Sequence, residues 1–108
     1  MKVLVADVAR TAALLAGHDV TAARTVAEAR RALQKGEYGL LVVGVAFDDS
    51  RMFDLIREVR ADARHDAMRI VCIVPSRTLA LACEALRAEA ILESDLTSAE
   101  ALISAGTP

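Results

Sequence analysis

Tyr38-Gly-Leu-Leu-Val-Val-Gly44-Val-Ala-Phe-Asp-Asp-Ser50 is the stretch on which the fold turns. Residues 40–45 are uncharged and rich in Leu and Val, the pattern of a strand buried on both faces. Asp48, Asp49 and Ser50 stop the strand. From Met52 a helical pattern begins, with Met52, Leu55, Ile56 and Val59 at i, i+3, i+4 and i+7. A central strand ending in an acidic loop that feeds a helix is where α/β domains usually place their chemistry. Here that strand end carries Gly44, which has no side chain.

The same alternation extends to both sides. Lys2-Val-Leu-Val-Ala6 reads as a strand with Asp7 at its end, and residues 9–16 as a short helix closed by Gly17. A weak strand at 19–22 precedes Thr25-Val-Ala-Glu28, a capping box. The helix it opens carries Val26, Ala29 and Leu33 on one face and closes at Gly36. Beyond residue 60, a polar connector at 61–67 leads to the strand Arg69-Ile-Val-Cys-Ile-Val74. Pro75 and Ser76 stop it before a helix over 78–88, with Leu79, Ala82, Cys83 and Leu86 on one face and Ala80, Leu81 and Ala85 opposite. A brief strand at 90–92 and a second capping box, Thr97-Ser-Ala-Glu100, open the last helix, which carries Leu102 and Ile103 and ends at Gly106. Strand and helix thus alternate five times. Short connections and right-handed crossovers make a doubly wound parallel α/β sheet the economical solution, as one domain spanning residues 1–108.

Composition narrows the function. With one Tyr, two Phe and no Trp, the core is built from Ala, Leu and Val. A formal charge of -2 argues against a dedicated nucleic-acid or membrane-surface domain. No apolar run is long enough to span a bilayer, and the chain opens on a strand-like segment without a charged and apolar leader. A cytoplasmic setting is expected. Cys72 and Cys83 fall in apolar segments, which predicts buried free thiols. His18 and His65 stand in turns without partners at ligand spacing, which predicts surface histidines. Arg57, Arg60, Arg64 and Arg69, interspersed with Glu58, Asp62 and Asp66, predict a solvated basic face.

Several of these segments together resemble the receiver domain of bacterial two-component response regulators. Residues 2–7 are similar to the family's first strand and its acidic end. Gly17-His18-Asp19-Val20 resembles its turn into strand two, residues 38–60 its third strand and helix, and residues 93–102 its last loop and helix. The resemblance implies a flavodoxin-like (βα)5 fold with strand order 2-1-3-4-5. It also implies a site of two adjacent carboxylates for Mg²⁺, an acceptor aspartate ending strand three, a hydroxyl after strand four and a lysine after strand five.

Carried over position by position, only the first acid is present, as Asp7. Val8 replaces the second acid, Gly44 the acceptor, Val74 the hydroxyl residue and Ser94 the lysine. Asp95 replaces the family's proline, which removes the usual reason for a cis bond there. Asp48 and Asp49 lie four and five residues beyond Gly44, more than about 10 Å along an extended chain. They are expected to be loop and helix-start residues near a positive helix N-terminus. The only lysines, Lys2 and Lys35, are far in sequence from strand five.

The expectation is a degenerate receiver: no enzyme, no metal, no cofactor, and a signalling role in binding a protein partner or a second copy, without direct nucleic-acid or membrane contact. The family's usual contact surface, on helix four, strand five and helix five, makes Leu81, Ala85, Leu92 and Leu96 the candidate interface, with Leu81 foremost. The first helix is about two turns shorter than the family's, which predicts an uncovered apolar surface for a partner, a second copy or a neighbouring domain. Two alternatives remain: an active receiver phosphorylated at a non-standard aspartate, and a small flavodoxin-like ligand binder. The latter lacks a glycine-rich phosphate loop at Asp7-Val-Ala-Arg10.

Overall fold

The computed structural model describes residues 2–6 and 17–96. Five strands, β1 (Lys2–Ala6), β2 (Asp19–Ala22), β3 (Leu40–Gly44), β4 (Arg69–Val74) and β5 (Glu89–Leu92), form one all-parallel sheet in the order β2-β1-β3-β4-β5. The opening stretch supplies the middle strand. Every residue of β3 is buried, as its unbroken apolar character predicts.

Alternation along the strands divides the core into two faces. Leu4, Ala6, Leu41, Val43, Ile70, Cys72 and Val74 point to one face. Against it pack α1 (Val26–Lys35), α2 (Met52–Ala61) and α3 (Arg77–Ala85). Val3, Val5, Leu40, Val42, Val71 and Ile73 form the other face and pack with Leu96. The helices expected at 9–16 and after Thr97, together with Asp7 and Val8, lie outside the described residues.

The helices obey their sequence signals with instructive exceptions. Thr25 caps α1, its hydroxyl oxygen accepting from the Glu28 N–H at 3.1 Å. Glu28 does not return the bond to backbone; its carboxylate accepts from the Thr25 hydroxyl at 3.3 Å. Gly36 ends the helix in an extended conformation, and a Cβ there would stand 3.1 Å from Lys2 Nζ. Lys2 in turn sits 5.1 Å above the Tyr38 ring, a cation–π contact. In α2, Met52, Leu55, Ile56 and Val59 are all buried, each contributing about 1.5–3 kcal/mol of burial free energy.

α3 is narrower in its burial than its spacing suggests. Cys83 is fully buried and Leu79, Ala80 and Leu86 are half-buried, whereas Ala82, expected on the core face, is exposed. The helix also ends three residues early, in a Schellman cap. Ala88 N–H donates to Cys83 O at 3.1 Å and Arg87 N–H to Glu84 O at 3.0 Å. The left-handed position is filled by Arg87 at φ 63°, where glycine is usual.

Candidate functional site

The chain runs from β1 outward to β2 and then returns to β3, so β1 and β3 flank the topological switch point, where α/β sheets usually bind ligands. Register places Ala6 opposite Val43, Gly44 opposite Ile73 and Val74 opposite Leu92, bringing the carboxyl ends of the strands level. Gly44 and Val74 are buried and Ser94 is exposed in the 3-10 turn Glu93–Asp95. A buried glycine and a buried valine present no oxygen or nitrogen side-chain atom to a ligand. All peptide bonds among the described residues are trans, Asp95 included.

After Gly44 the backbone does something the sequence does not announce. Asp48 (φ 45°, ψ 61°), Asp49 (φ 55°, ψ 47°) and Ser50 (φ 66°) are all left-handed, a conformation that Asp tolerates better than most residues. Phe47, buried at the start of this turn, accepts from the Arg51 N–H at 2.8 Å. The reversal swings the Asp48 carboxylate to the N-terminus of α1, where Oδ2 accepts from Val26 N–H at 2.9 Å. Asp48 therefore serves a helix 22 residues away, whereas α2, the helix that follows it, has no side-chain cap. Two electropositive groups, the α1 terminus and Arg51 at 4.0 Å, already engage this carboxylate. Asp49 is exposed.

The expected basic face resolves into separate local contacts. Arg57 lies 3.5 Å from Asp54, and Arg69 pairs with Glu89 at 2.8 Å across β4 and β5. Arg64 pairs with Asp62 at 2.7 Å and also donates to it from its backbone N–H. These two bonds, side chain first, hold the Asp62 carboxyl at about 2 instead of 3.8.

Arg60 is only partly solvated. Its guanidinium donates to Arg87 O at 2.9 and 3.1 Å, to His65 O at 3.2 Å and to Met68 O at 2.9 Å. Arg87 returns a bond to Arg60 O at 3.1 Å. Burial, and then the nearby Arg87 charge, lower the Arg60 pKa. Arg60 thereby ties the end of α2 to the cap of α3.

His65 is less exposed than a turn histidine is expected to be: its side chain is 15% accessible and Nε2 lies 3.8 Å from Asp62 Oδ2. His18 is exposed. Cys72 and Cys83 are buried free thiols, as expected, but they also meet across the β4–α3 contact. Their mutual hydrogen bond, and then burial, push the Cys72 thiol far up, so it stays protonated and unreactive.

Among the described residues no group of three or more His, Cys, Asp or Glu side chains is arranged to hold a metal, and no helix is long and apolar enough to cross a membrane. A hollow of about 690 Å³ lies at the opposite, amino-terminal end of the strands, lined by residues that include Tyr38, Gly39, His65 and Met68.

The candidate interface divides. Leu81 is 66% exposed, the one exposed large apolar side chain among the described residues. Ala85 is exposed and Leu92 is half-buried. Leu96 is only 7% exposed and packs with Val3, Val5, Leu40, Val42, Val71 and Ile73, so it belongs to the core rather than to that surface.

No protein-family model and no curated protein sequence matches the chain. Solved structures match its fold. A sensor protein from Polaromonas sp. JS666 superposes with a TM-score of 0.79 at 22% identity, over 95% of this chain and 90% of its own. The chemotaxis response regulator CheY4 of Vibrio cholerae gives 0.77 at 20% identity, over 95% and 92%. A two-component response regulator from Clostridium difficile gives 0.76 at 16% identity, over 96% and 90%. The parallel sheet in the order 2-1-3-4-5 is thus that of CheY-like, flavodoxin-like receiver domains.

Proposed function

We propose that this chain is a phosphorylation-independent signalling module: a receiver fold that works by binding protein, without phosphoryl transfer, metal or cofactor. The observation that supports this reading is that, among the described residues, the ends of β3 and β4 and the turn after β5 offer no carboxylate acceptor and no lysine at the family's positions. Phosphoryl transfer depends on positioned charge, with a carboxylate to accept, Mg²⁺ to bridge and a cation to stabilise the phosphoryl oxygens. Buried Gly44 and Val74 and exposed Ser94 supply none of these groups. The nearest carboxylate downstream of β3, Asp48, is occupied in capping α1.

With no acyl phosphate to switch it, the module is controlled by its amount and by what binds it. Binding energy comes from apolar burial at a surface, which directs attention to α3 and Leu81. The setting is the cytoplasm, and neither nucleic acid nor lipid is the direct ligand. Incubation with a small-molecule phosphodonor and Mg²⁺, followed by intact mass measurement, tests the reading. The expected result is an unshifted mass. A phosphoryl adduct that maps to an aspartate, Asp49 above all, would overturn it.

A further inference from the structure

At the pole of the sheet opposite Gly44, the hollow of about 690 Å³ is bounded by the end of α1, the loop into β3 and the turn before β4. Backbone bonds fix these walls. Gly39 N–H donates to Lys2 O at 3.0 Å, and Arg69 N–H donates to Gly39 O at 3.1 Å. Leu33 and Met68 are buried and give the hollow an apolar floor beside Tyr38. Its size falls within the range of small-molecule sites, about 300–1,000 Å³.

The chain has two lysines, Lys2 and Lys35, and both stand here although they are far apart in sequence. Lys35 lines the hollow, and Lys2 Nζ reaches over the Tyr38 ring, 5.1 Å from its centroid. Neither lysine has a carboxylate at ion-pair distance among the described residues. Arg64 and His65 add to the basic side, with Arg64 held by Asp62, and Glu37 is the one carboxylate among the described lining residues. Gly36 makes room for this arrangement. Its backbone is extended, which any residue adopts, so conformation does not call for glycine. Space does: a Cβ would stand 3.1 Å from Lys2 Nζ and 3.8 Å from Tyr38 Cε2.

We infer that the hollow binds a small organic anion built on a flat ring, its acidic head at Lys2 and Lys35 and its ring against Leu33, Tyr38 and Met68. Unpaired ammonium groups favour the head, and the apolar floor beside an aromatic ring favours the body. The inference goes beyond the reading of this chain as a protein-binding module, and either can fail without the other.

Titration of the isotope-labelled chain with phenylphosphonate, followed by two-dimensional NMR, tests it; the phosphonate head cannot be transferred, so the readout is independent of phosphorylation. Saturable shifts are expected at the amides of Gly36, Tyr38, Gly39 and His65. Benzyl alcohol keeps the ring without the charge and methylphosphonate the charge without the ring, and each should bind about tenfold more weakly. Benzylamine, a cation that the carbonyl end of α1 attracts, should also be weaker. Lys2→Ala and Lys35→Ala should each lower the affinity for phenylphosphonate about threefold, and added salt should lower it as well. Gly36→Ala should weaken binding too, because its Cβ displaces the Lys2 ammonium. Arg77→Ala, exposed at the start of α3, is the control and should leave binding unchanged. Circular dichroism checks that each variant folds. Absence of saturable shifts, shifts confined to other amides, or an affinity indifferent to both lysine variants would overturn the inference. So would tighter binding of benzylamine, or of a tetraglutamate peptide at the same amides, which would make this a site for cations or for acidic protein segments.

Discussion

Removing the Arg60 side chain takes away a junction between α2, the turn after it and the cap of α3. Arg60→Ala deletes four hydrogen bonds from one guanidinium to three carbonyls. The two at Arg87 O are exposed, and water replaces them at little cost. The two at His65 O and Met68 O are partly buried, and a bond to a charged group contributes about 1.5 kcal/mol or more. The variant should therefore lose about 3 kcal/mol. With a slope of about 1.5 kcal/mol/M for a chain of this size, the urea midpoint should fall by about 2 M. Arg60→Lys keeps the charge, but an ammonium cannot reach carbonyls on both sides of a guanidinium fork, and should recover less than half of the loss. Arg57→Ala, beside a 3.5 Å exposed pair, is the control and should change stability by less than about 0.5 kcal/mol. An Arg60→Ala midpoint no lower than that of Arg57→Ala would refute the reasoning.

Asp48→Ala should cost about 2 kcal/mol, half from the lost α1 cap and half from placing alanine in a left-handed turn. Asp48→Asn keeps an acceptor oxygen and the left-handed tolerance, so it should cost about 0.5 kcal/mol; equal losses in urea titrations would contradict the assigned role. Arg87→Gly should raise the melting temperature by a few degrees, since it relieves the φ 63° cap and the repulsion from Arg60 while losing only an exposed bond. A lower melting temperature would show the Arg87 side chain to matter more than its backbone. The Asp62 carboxyl should titrate near 2 by NMR, and Arg64→Ala should raise it only partway, because the backbone bond remains. The folded value lies below the ordinary 3.8, so the stability Asp62 contributes is present above that pH and is lost as pH falls toward 2.

Much of the fold was legible because it depends on local periodicity. The apolar run at 40–45, of which β3 takes 40–44, and the spacing of Met52, Leu55, Ile56 and Val59 are each patterns within one element, and each element forms where its pattern predicts. Gly44 and Val74 close their strands, as the apolar runs that lead to them suggest. Contacts between distant segments were not. Nothing near Asp48 in sequence points to Val26, and the left-handed turn that aims it there has no glycine to announce it. Arg60 reads as one more exposed charge until the carbonyls of residues 65, 68 and 87 are brought around it. Ala82 fell on the predicted buried face because a helical wheel does not say how wide the buried stripe is; α3 packs on one side only, and Ala82 lies past its edge. Leu96 follows strand five, in the segment that the family resemblance places at the contact surface, yet its side chain packs on the buried face of the sheet.

The meeting of Cys72 and Cys83 under α3 has a use in kinetics. Both thiols are fully enclosed, one on the middle of β4 and one on the inner face of α3. An alkylating reagent can reach them only when α3 lifts from the sheet, so the labelling rate measures how often that helix opens. If labelling is no faster than global unfolding accounts for, α3 departs only with the whole domain. If it is faster, α3 exchanges on its own, and the surface that carries Leu81 belongs to a detachable element rather than to a rigid wall.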